Sequence, residues 1–132
     1  MMNWIKKIQN YQPYNEQEEK DQQLMLTCIN SFDDVLTREN SIAHMTCSGF
    51  VLNKARDHVL MVYHNIYDSW CWTGGHSDGE MDFLKVALQE ALEETGVSSV
   101  RPIYLYILMS LTTSSRVQRR ETRKKHDTYT SA

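Results

Sequence analysis

Apolar residues near the start of the chain recur at the spacing of a short helix. Asn3 is placed to cap this helix, and Trp4, Ile5 and Ile8 fall on one side of it. The helix is expected to end near Pro13, because the residue before a proline is pushed out of the helical region. The pattern therefore predicts a short amphipathic helix ahead of the first proline.

A second helix is predicted to begin after Asn15. Asn15 and Glu18, three residues later, resemble a capping box, in which two residues satisfy free N–H groups at the start of a helix. The apolar residues that follow indicate a face turned toward the core. They are Met25, Ile29, Phe32 and Leu36. Residues 1–40 are thus predicted to form an N-terminal helical segment.

After Asn40 the pattern changes to runs of strand-forming residues. The predicted strands cover residues 44–52, 58–64, 70–73 and 100–111. Polar residues at 53–57 predict a turn, so the first two strands are expected to form a hairpin.

The segment from Asp82 to Thr95 returns to helical spacing. Its apolar positions are Leu84, Ala87, Leu88 and Ala91. Asp82 is placed to cap the start of the helix, and Gly96 stands where a C-terminal glycine ends one.

Three glutamates lie close together near the end of this predicted helix. Glu90, Glu93 and Glu94 fall within about one-third of the helix circumference. Their mutual repulsion and the helix dipole both disfavour this placement, whereas a bound divalent cation would reverse both effects. Such hard oxygen ligands suit Mg²⁺ or Mn²⁺. The alternative interpretation is an exposed acidic face without a ligand.

A segment rich in glycine, residues 74–79, directly precedes the acidic helix. A glycine loop between a strand and a helix is a frequent way to hold phosphate near a metal. From Gly75 to Val97 the sequence resembles the Nudix box, which runs Gly, five residues, Glu, seven residues, and then Arg-Glu-aliphatic-x-Glu-Glu-x-Gly-aliphatic. The resemblance covers 23 residues, and the preceding Trp72-Thr73 and hairpin are similar to the family's usual lead-in.

Two positions depart from the Nudix motif. The first Glu of the box falls at Met81, and its Arg falls at Gln89. In the family these two residues are taken to pair and to brace the loop against the helix, so the loss of both leaves no unpaired charge. Glu80, one residue early, is a candidate substitute. We expect a less rigid site and slower turnover, with metal binding retained.

The resemblance implies an α+β fold, an α/β/α sandwich whose mixed sheet lies between helices, with the Nudix-like domain at 41–111. It implies hydrolysis, dependent on Mg²⁺ or Mn²⁺, of a nucleoside diphosphate linked to another moiety. Glu90, Glu93, Glu94 and the Gly75 carbonyl would bind the metal, and Glu93 or Glu94 would orient or deprotonate the water. The candidate substrate-binding residues are Gly74, Gly75, His76 and Trp72. The alternatives are a hydrogen bond at the helix start for His76 and ordinary packing for Trp72.

Composition and charge limit the class of protein. The 132 residues are 41% hydrophobic and 23% charged, which is ordinary for one globular domain. No apolar run approaches the roughly 20 residues that cross a bilayer, and no apolar signal core follows the first residues. Cys28, Cys47 and Cys71 lie far apart, without metal-ligand spacing. We therefore expect a cytoplasmic protein with no membrane contact, and a homodimer would hide exposed sheet edges.

The end of the chain differs in charge from the rest. Residues 1–100 carry 15 acidic and 7 basic residues, a net charge of −8, whereas residues 101–132 carry 2 acidic and 7 basic residues, a net charge of +5. Residues 112–132 show no periodicity, so a basic, disordered tail is predicted. Nucleic-acid binding through residues 116–125 is the less favoured interpretation.

The resemblance also implies further strands after the box, yet only 35 residues follow residue 97. We hypothesise that a natural truncation, or a reading-frame change near residue 104, replaced the C-terminal half. Nudix-like strands encoded in the neighbouring frame of the coding DNA would support this hypothesis, and their absence would refute it. A truncated, catalytically inactive Nudix-like protein that binds a nucleotide or a protein partner is accordingly the alternative to a hydrolase.

Overall fold

The structure is a computed structural model, and it describes residues 3–103 and 109–113. Its helices are α1 (Asn3–Gln9), α2 (Glu16–Ser31) and α3 (Phe83–Thr95). Its strands are β1 (Ala43–Gly49), β2 (Val51–Leu52), β3 (Val59–Leu60), β4 (Val62–His64), β5 (Ser69–Cys71), β6 (Thr73–His76) and β7 (Met109–Thr113). The predicted α+β class is confirmed. No helix in the described ranges is long and apolar enough to cross a membrane.

The two N-terminal helices pack against each other through the predicted apolar residues. Those that are buried are Trp4, Ile8, Met25 and Cys28. Gln22 Nε2 on α2 donates hydrogen bonds to the carbonyl oxygens of Ile8 and Tyr11, at 2.7 and 2.9 Å. A side chain of α2 therefore bonds to backbone carbonyl groups at and just beyond the C-terminal end of α1.

The start of α2 matches the prediction, but its end does not. Asn15 caps the helix, because its Oδ1 accepts a hydrogen bond from the Glu18 N–H at 2.9 Å. The Glu18 carboxylate does not complete the capping box at Asn15 and accepts instead from the Tyr14 N–H at 2.7 Å. The helix stops where Phe32 adopts an extended conformation. Phe32 and Leu36 thus pack against the core from outside the helix.

Strand β1 is the centre of a three-stranded antiparallel sheet with the order β6-β1-β7. Ala43, Met45 and Cys47 are buried, while the residues between them are partly exposed, so one face of the strand is turned to the core. The core cluster includes residues of α1, α2 and β1, so both sides of the predicted boundary at residue 40 contribute to it.

The predicted hairpin is confirmed only in part. Strand β2 pairs with β3 across the turn at 53–57, in which Asn53 Oδ1 accepts from the N–H groups of Asp57 and His58. The strands are shorter than predicted, because the ladder is interrupted at Phe50, Met61 and Trp72. Consequently β1 pairs with β6, and β4 forms a separate hairpin with β5.

The predicted strand at 100–111 is wrong at its start. Residues 100–103 form no strand, residues 104–108 lie outside the described residues, and β7 covers Met109–Thr113. Strand β7 continues to Thr113, two residues into the predicted tail; the rest of that tail, with its basic run, lies outside the described residues. All strand pairs in the described ranges are antiparallel, so the mixed sheet stays a prediction.

Helix α3 has the predicted boundaries. Asp82 caps its start by accepting from the Lys85 N–H at 3.2 Å, and Gly96 ends it in the left-handed conformation, with φ of 67°. The Phe83 ring contacts the Trp4 ring at a centroid distance of 5.5 Å. This contact holds the first turn of α3 against α1, and the rest of α3 lies against β6 and β1.

Candidate metal and phosphate site

Gly75 faces the carboxylate of Glu90. A Cβ atom on Gly75 would lie 2.2 Å from Glu90 Oε1 and 2.8 Å from Oε2, distances that real side chains do not adopt. A side chain at this position would therefore displace the Glu90 carboxylate, which lies directly against the Gly75 backbone. Gly74, Gly75 and His76 lie in strand β6, so the predicted glycine loop is corrected to the end of a strand.

Gly74 contacts a second carboxylate of the same helix. Its N–H donates to Glu94 Oε2 at 3.1 Å. On its other side, a Cβ atom would lie 2.7 Å from Ser48 Oγ and 2.8 Å from the Cys47 carbonyl oxygen. The two glycines thus let β6 lie close to both β1 and α3, and they bring Glu90 and Glu94 to one point of the strand.

Glu93 is held differently from the other two carboxylates. Its Oε1 accepts a hydrogen bond from Gln89 Nε2 at 2.8 Å. Both residues border a surface depression of about 480 Å³ that is lined by residues of α3 and its cap, and by no residue of β6. We do not assign this depression to the site, because it does not include the paired glycines.

The three carboxylates nevertheless affect one another electrostatically. Burial raises the pKa of Glu90, and the charges of Glu94 and Glu93 raise it further. Burial, together with the Glu90 charge, also raises the pKa of the Cys47 thiol to about 12. Cys47 is therefore protonated at neutral pH and is not a nucleophile.

The donor chemistry of this cluster suits a hard cation, but the ligands are not fully gathered. Among the described residues, no group of three or more His, Cys, Asp or Glu side chains is arranged to hold a metal ion. Glu90 and Glu94 flank Gly74 and Gly75, whereas Glu93 is engaged by Gln89. We call Gly74, Gly75, Glu90, Glu93 and Glu94 the carboxylate site.

An ion pair next to the carboxylate site joins the loop that follows β6 to the segment before β1. Arg38 Nε donates to Asp78 Oδ1 at 2.8 Å, and Arg38 Nη2 donates to Asp78 Oδ2 at 2.5 Å. This hydrogen bonding lowers the pKa of the Asp78 carboxyl. The pair joins residues 40 positions apart and ties the loop to the segment before β1.

Backbone contacts fix the same loop in place. The carbonyl oxygen of Leu36 accepts from Ser77 Oγ at 2.6 Å and from the Gly79 N–H at 2.9 Å. The Ser77 N–H donates to the carbonyl oxygen of Met45 at 3.1 Å. Gly79 has a φ of 90°, which favours glycine. The loop that leads from β6 to α3 is therefore anchored to the N-terminal segment.

His76 lies on strand β6 and not at the helix start, so the predicted hydrogen bond at the start of α3 is not found. Its ring contacts the His44 ring at a centroid distance of 4.9 Å, with the two planes tilted by 36°. His44 Nδ1 is 2.9 Å from the carbonyl oxygen of Asn40 and is the donor, since a carbonyl only accepts. Burial is the main cause that lowers the pKa of His76, and the positive charge of Arg38 lowers it further.

A different ion pair occupies the region of the missing Nudix brace. Met81 is 49% exposed, and Gln89 contacts Glu93. Glu80 accepts from Lys85 Nζ at 2.6 Å and from the N–H groups of Met81 and Asp82. Glu80 thus joins the loop to the first turn of α3 through Lys85, and its role as a substitute for the first Glu of the box stays a prediction.

Two aromatic pairs lie between the end of β1 and the glycines. The Trp72 and Phe50 rings contact each other at a centroid distance of 5.1 Å, and both are about half exposed. Trp70 pairs with Tyr63 on the separate β4–β5 hairpin, at 5.4 Å. Neither Trp70 nor Trp72 is buried in the core, but both pack against another ring at the edge of a strand, as the packing alternative expects. Trp72 directly precedes β6 and is the one nearer to the glycines in sequence.

Four residues near the site were missed in the sequence analysis. They are Arg38, Phe50, Asp78 and Lys85. The register that pairs Gly49 with Thr73 would have placed Phe50 beside Trp72. Arg38 and Asp78 give no local signal, because only the tertiary structure brings them together.

Comparison with known proteins adds no assignment. No protein-family model matches the chain, and no curated protein matches it.

Proposed function

We propose that this chain is a divalent-metal-dependent hydrolase of the Nudix type, with an α/β/α sandwich. Its substrate would be a nucleoside diphosphate linked to another moiety. The observation that carries the proposal is the approach of two carboxylates to two adjacent glycines. Glu90 faces Gly75 so closely that a Cβ atom there would displace its carboxylate, and Glu94 accepts from the Gly74 N–H.

A divalent cation fits the chemistry of the carboxylate site. Glu90, Glu93, Glu94 and the Gly75 carbonyl are hard oxygen donors, which Mg²⁺ and Mn²⁺ prefer. Burial and neighbouring negative charge raise the pKa of Glu90, so a cation would relieve an existing repulsion. One oxygen of Glu93, Oε1, also accepts a hydrogen bond from Gln89 Nε2. When bound, the metal would neutralise charge on the phosphate oxygens.

The residues of the chain then have separate roles. Glu93 or Glu94 would orient or deprotonate a water, whose oxygen forms a bond to phosphorus as the phosphoanhydride bond breaks. The leaving phosphate keeps the bridging oxygen, and the water proton passes to the carboxylate. The substrate-binding positions are Gly74, Gly75, His76 and Trp72. The exposed Trp72 ring offers a face on which a base can stack.

A hydrolysis assay tests this proposal. The chain is incubated with Mg²⁺ or Mn²⁺ and a panel of nucleotide sugars, ADP-ribose, dinucleoside polyphosphates and oxidised nucleotides. We expect turnover of at least one compound, its loss with a chelator, and a loss of at least a hundredfold in Glu94→Gln. Gln retains an acceptor for the Gly74 N–H but removes the charge. Glu19→Gln, at an exposed position of α2, is the matched control and should behave as the wild type.

The alternative is a Nudix-like protein that binds a nucleotide or a protein partner without hydrolysis. It is favoured by Met81 and Gln89, which replace the ion pair of the box, and by the engagement of Glu93 with Gln89. Metal-dependent nucleotide binding without turnover of any panel member would select this alternative over the hydrolase.

A further inference from the structure

The Arg38 guanidinium holds unused hydrogen-bond donors beside the carboxylate site. A guanidinium carries five N–H groups, of which Arg38 directs one from Nε and one from Nη2 at Asp78. The remaining three have no hydrogen-bond partner among the residues that the structure describes. The side chain is 58% exposed, so these donors are open to a ligand from solvent.

The position of Arg38 relative to the site is fixed by the fold. Asp78 follows Gly75 by three residues, in the loop that Leu36 anchors through Ser77 and Gly79. The charge of Glu90 contributes to the raised pKa of Arg38, behind the larger effects of Asp78, which is consistent with a short distance between Arg38 and the carboxylate site. The fold therefore places the Arg38 guanidinium against the loop that directly follows the glycines of the carboxylate site.

The present partner of Arg38 resembles a phosphate in shape. A carboxylate offers two coplanar oxygens to the guanidinium fork, and a phosphate offers a similar pair with more negative charge. Asp78 is about half exposed, so it can rotate into water once its partner is taken. Exchange of Asp78 for a phosphate would leave neither group buried without a partner.

We propose that Arg38 is a substrate-binding residue, which transfers its guanidinium fork from Asp78 to the phosphate oxygens of a diphosphate at the carboxylate site. Asp78 then accepts the hydrogen bonds of Arg38 when no ligand is bound, and it competes with the ligand for them. The inference rests on the proposed function and deepens it, because it assigns the residue that recognises the diphosphate group itself.

A purely structural ion pair makes the opposite prediction for one variant. If the pair only braces the loop, Arg38→Gln and Asp78→Asn both remove the same bidentate ion pair and should weaken diphosphate binding alike. If Arg38 binds the diphosphate, Arg38→Gln removes a ligand, whereas Asp78→Asn removes the negative charge that competes for the arginine. The two variants should then diverge.

The probe is methylenediphosphonate, a diphosphate analogue that cannot be hydrolysed, titrated calorimetrically with and without Mg²⁺. We expect Arg38→Gln to weaken binding roughly tenfold or more. Asp78→Asn should bind as tightly as the wild type or more tightly. Arg38→Lys, which keeps the charge but loses the fork, should fall below the wild type. If Arg38→Gln does not fold, Arg38→Lys and Asp78→Asn together test whether Arg38 binds the diphosphate.

Equal weakening by Arg38→Gln and Asp78→Asn would overturn the proposal, as would no effect of Arg38→Gln or no binding to the wild type. Failure of the proposed function is separate. If the chain hydrolyses no panel substrate but Arg38→Gln binds the analogue more weakly than Asp78→Asn, Arg38 is still a diphosphate ligand. If hydrolysis depends on Glu94 but the two variants bind alike, only the role of Arg38 is refuted.

Discussion

Glu90 carries a charge that the fold disfavours when no cation is bound. Burial raises its pKa, and Glu94 and Glu93 raise it further. Folding therefore favours the protonated carboxyl. Its stabilising contribution is complete below the unfolded pKa of about 4.5 and is lost as the pH rises through the higher folded pKa.

The first prediction follows from the raised pKa of Glu90 in the folded state. In metal-free buffer at pH 7, Glu90→Gln should unfold at a higher temperature than the wild type. The difference should shrink on acidification and vanish below about pH 4.5, where Glu90 is protonated in both states. Thermal unfolding followed by circular dichroism measures it, with Glu19→Gln as the control. A lower unfolding temperature for Glu90→Gln at pH 7 would contradict this electrostatic interpretation.

The second prediction concerns the two exposed tryptophans. If a substrate base stacks on Trp72, Trp72→Ala should raise the KM for nucleoside substrates about tenfold, because base stacking on an aromatic residue contributes roughly 1–3 kcal/mol. Trp70→Ala removes an equally large, exposed ring from another hairpin and should leave KM unchanged. Equal effects of the two substitutions would exclude a specific stacking role for Trp72.

At the scale of the element, helix α3 sets the spacing of the carboxylates, and Gly96 sets its end. Gly96 has a φ of 67°, and its N–H bonds to the Leu92 carbonyl oxygen. Gly96→Ala should lower the free energy of unfolding by about 1 kcal/mol, since an L side chain is strained in this conformation. Urea denaturation measures the change, and Ala91→Gly provides a mid-helix comparison. If Gly96→Ala leaves the free energy of unfolding unchanged, a side chain does not strain the backbone at this helix end.

Local chemistry explains why some elements could be predicted from the sequence. Asp82 and Gly96 delimit α3, and Asn15 begins α2, because each acts on residues within one turn of itself. The positions of the strand interruptions could not be predicted, since Phe50 and Trp72 belong to a continuous run of strand-forming residues. Their mutual contact follows only from the pairing of β1 with β6.

The candidate site could be predicted to a similar extent. The spacing of Glu90 and Glu94 predicted a shared helix face, and the structure brings both to the glycine pair. The hydrogen bond between Gln89 and Glu93 was not foreseen, although the two residues are one helical turn apart. The pairing of Arg38 with Asp78 depends on tertiary contacts and left no pattern in the sequence.

At the scale of the whole molecule, β1 connects the N-terminal helices to the sheet that holds the site. Met45 is fully buried in this strand and belongs to the cluster formed with α1 and α2. Its N–H and carbonyl groups bond to Val35 and to Ser77 of the loop after β6. Damage to this core should therefore loosen the site as well as the helices.

The matching prediction compares two methionines. Met45→Ala should lower the free energy of unfolding by about 2–5 kcal/mol, because it leaves a cavity in the core. Met81→Ala, at a position that is 49% exposed, should change it by no more than about 0.5 kcal/mol. Chemical denaturation of both variants is the measurement. Similar values would mean that the cluster around Met45 does not stabilise the fold.

The most direct test of the central claim is a Mn²⁺ titration followed by electron paramagnetic resonance. We predict that the wild type binds Mn²⁺, that Glu90→Gln and Glu94→Gln weaken binding at least tenfold, and that Gly75→Ala weakens it because its Cβ would displace the Glu90 carboxylate. Glu19→Gln should bind as the wild type does. Two results would contradict the assignment of these carboxylates as a metal site. One is absence of Mn²⁺ binding by the wild type, and the other is binding by Glu90→Gln and Glu94→Gln that is as tight as that of the wild type.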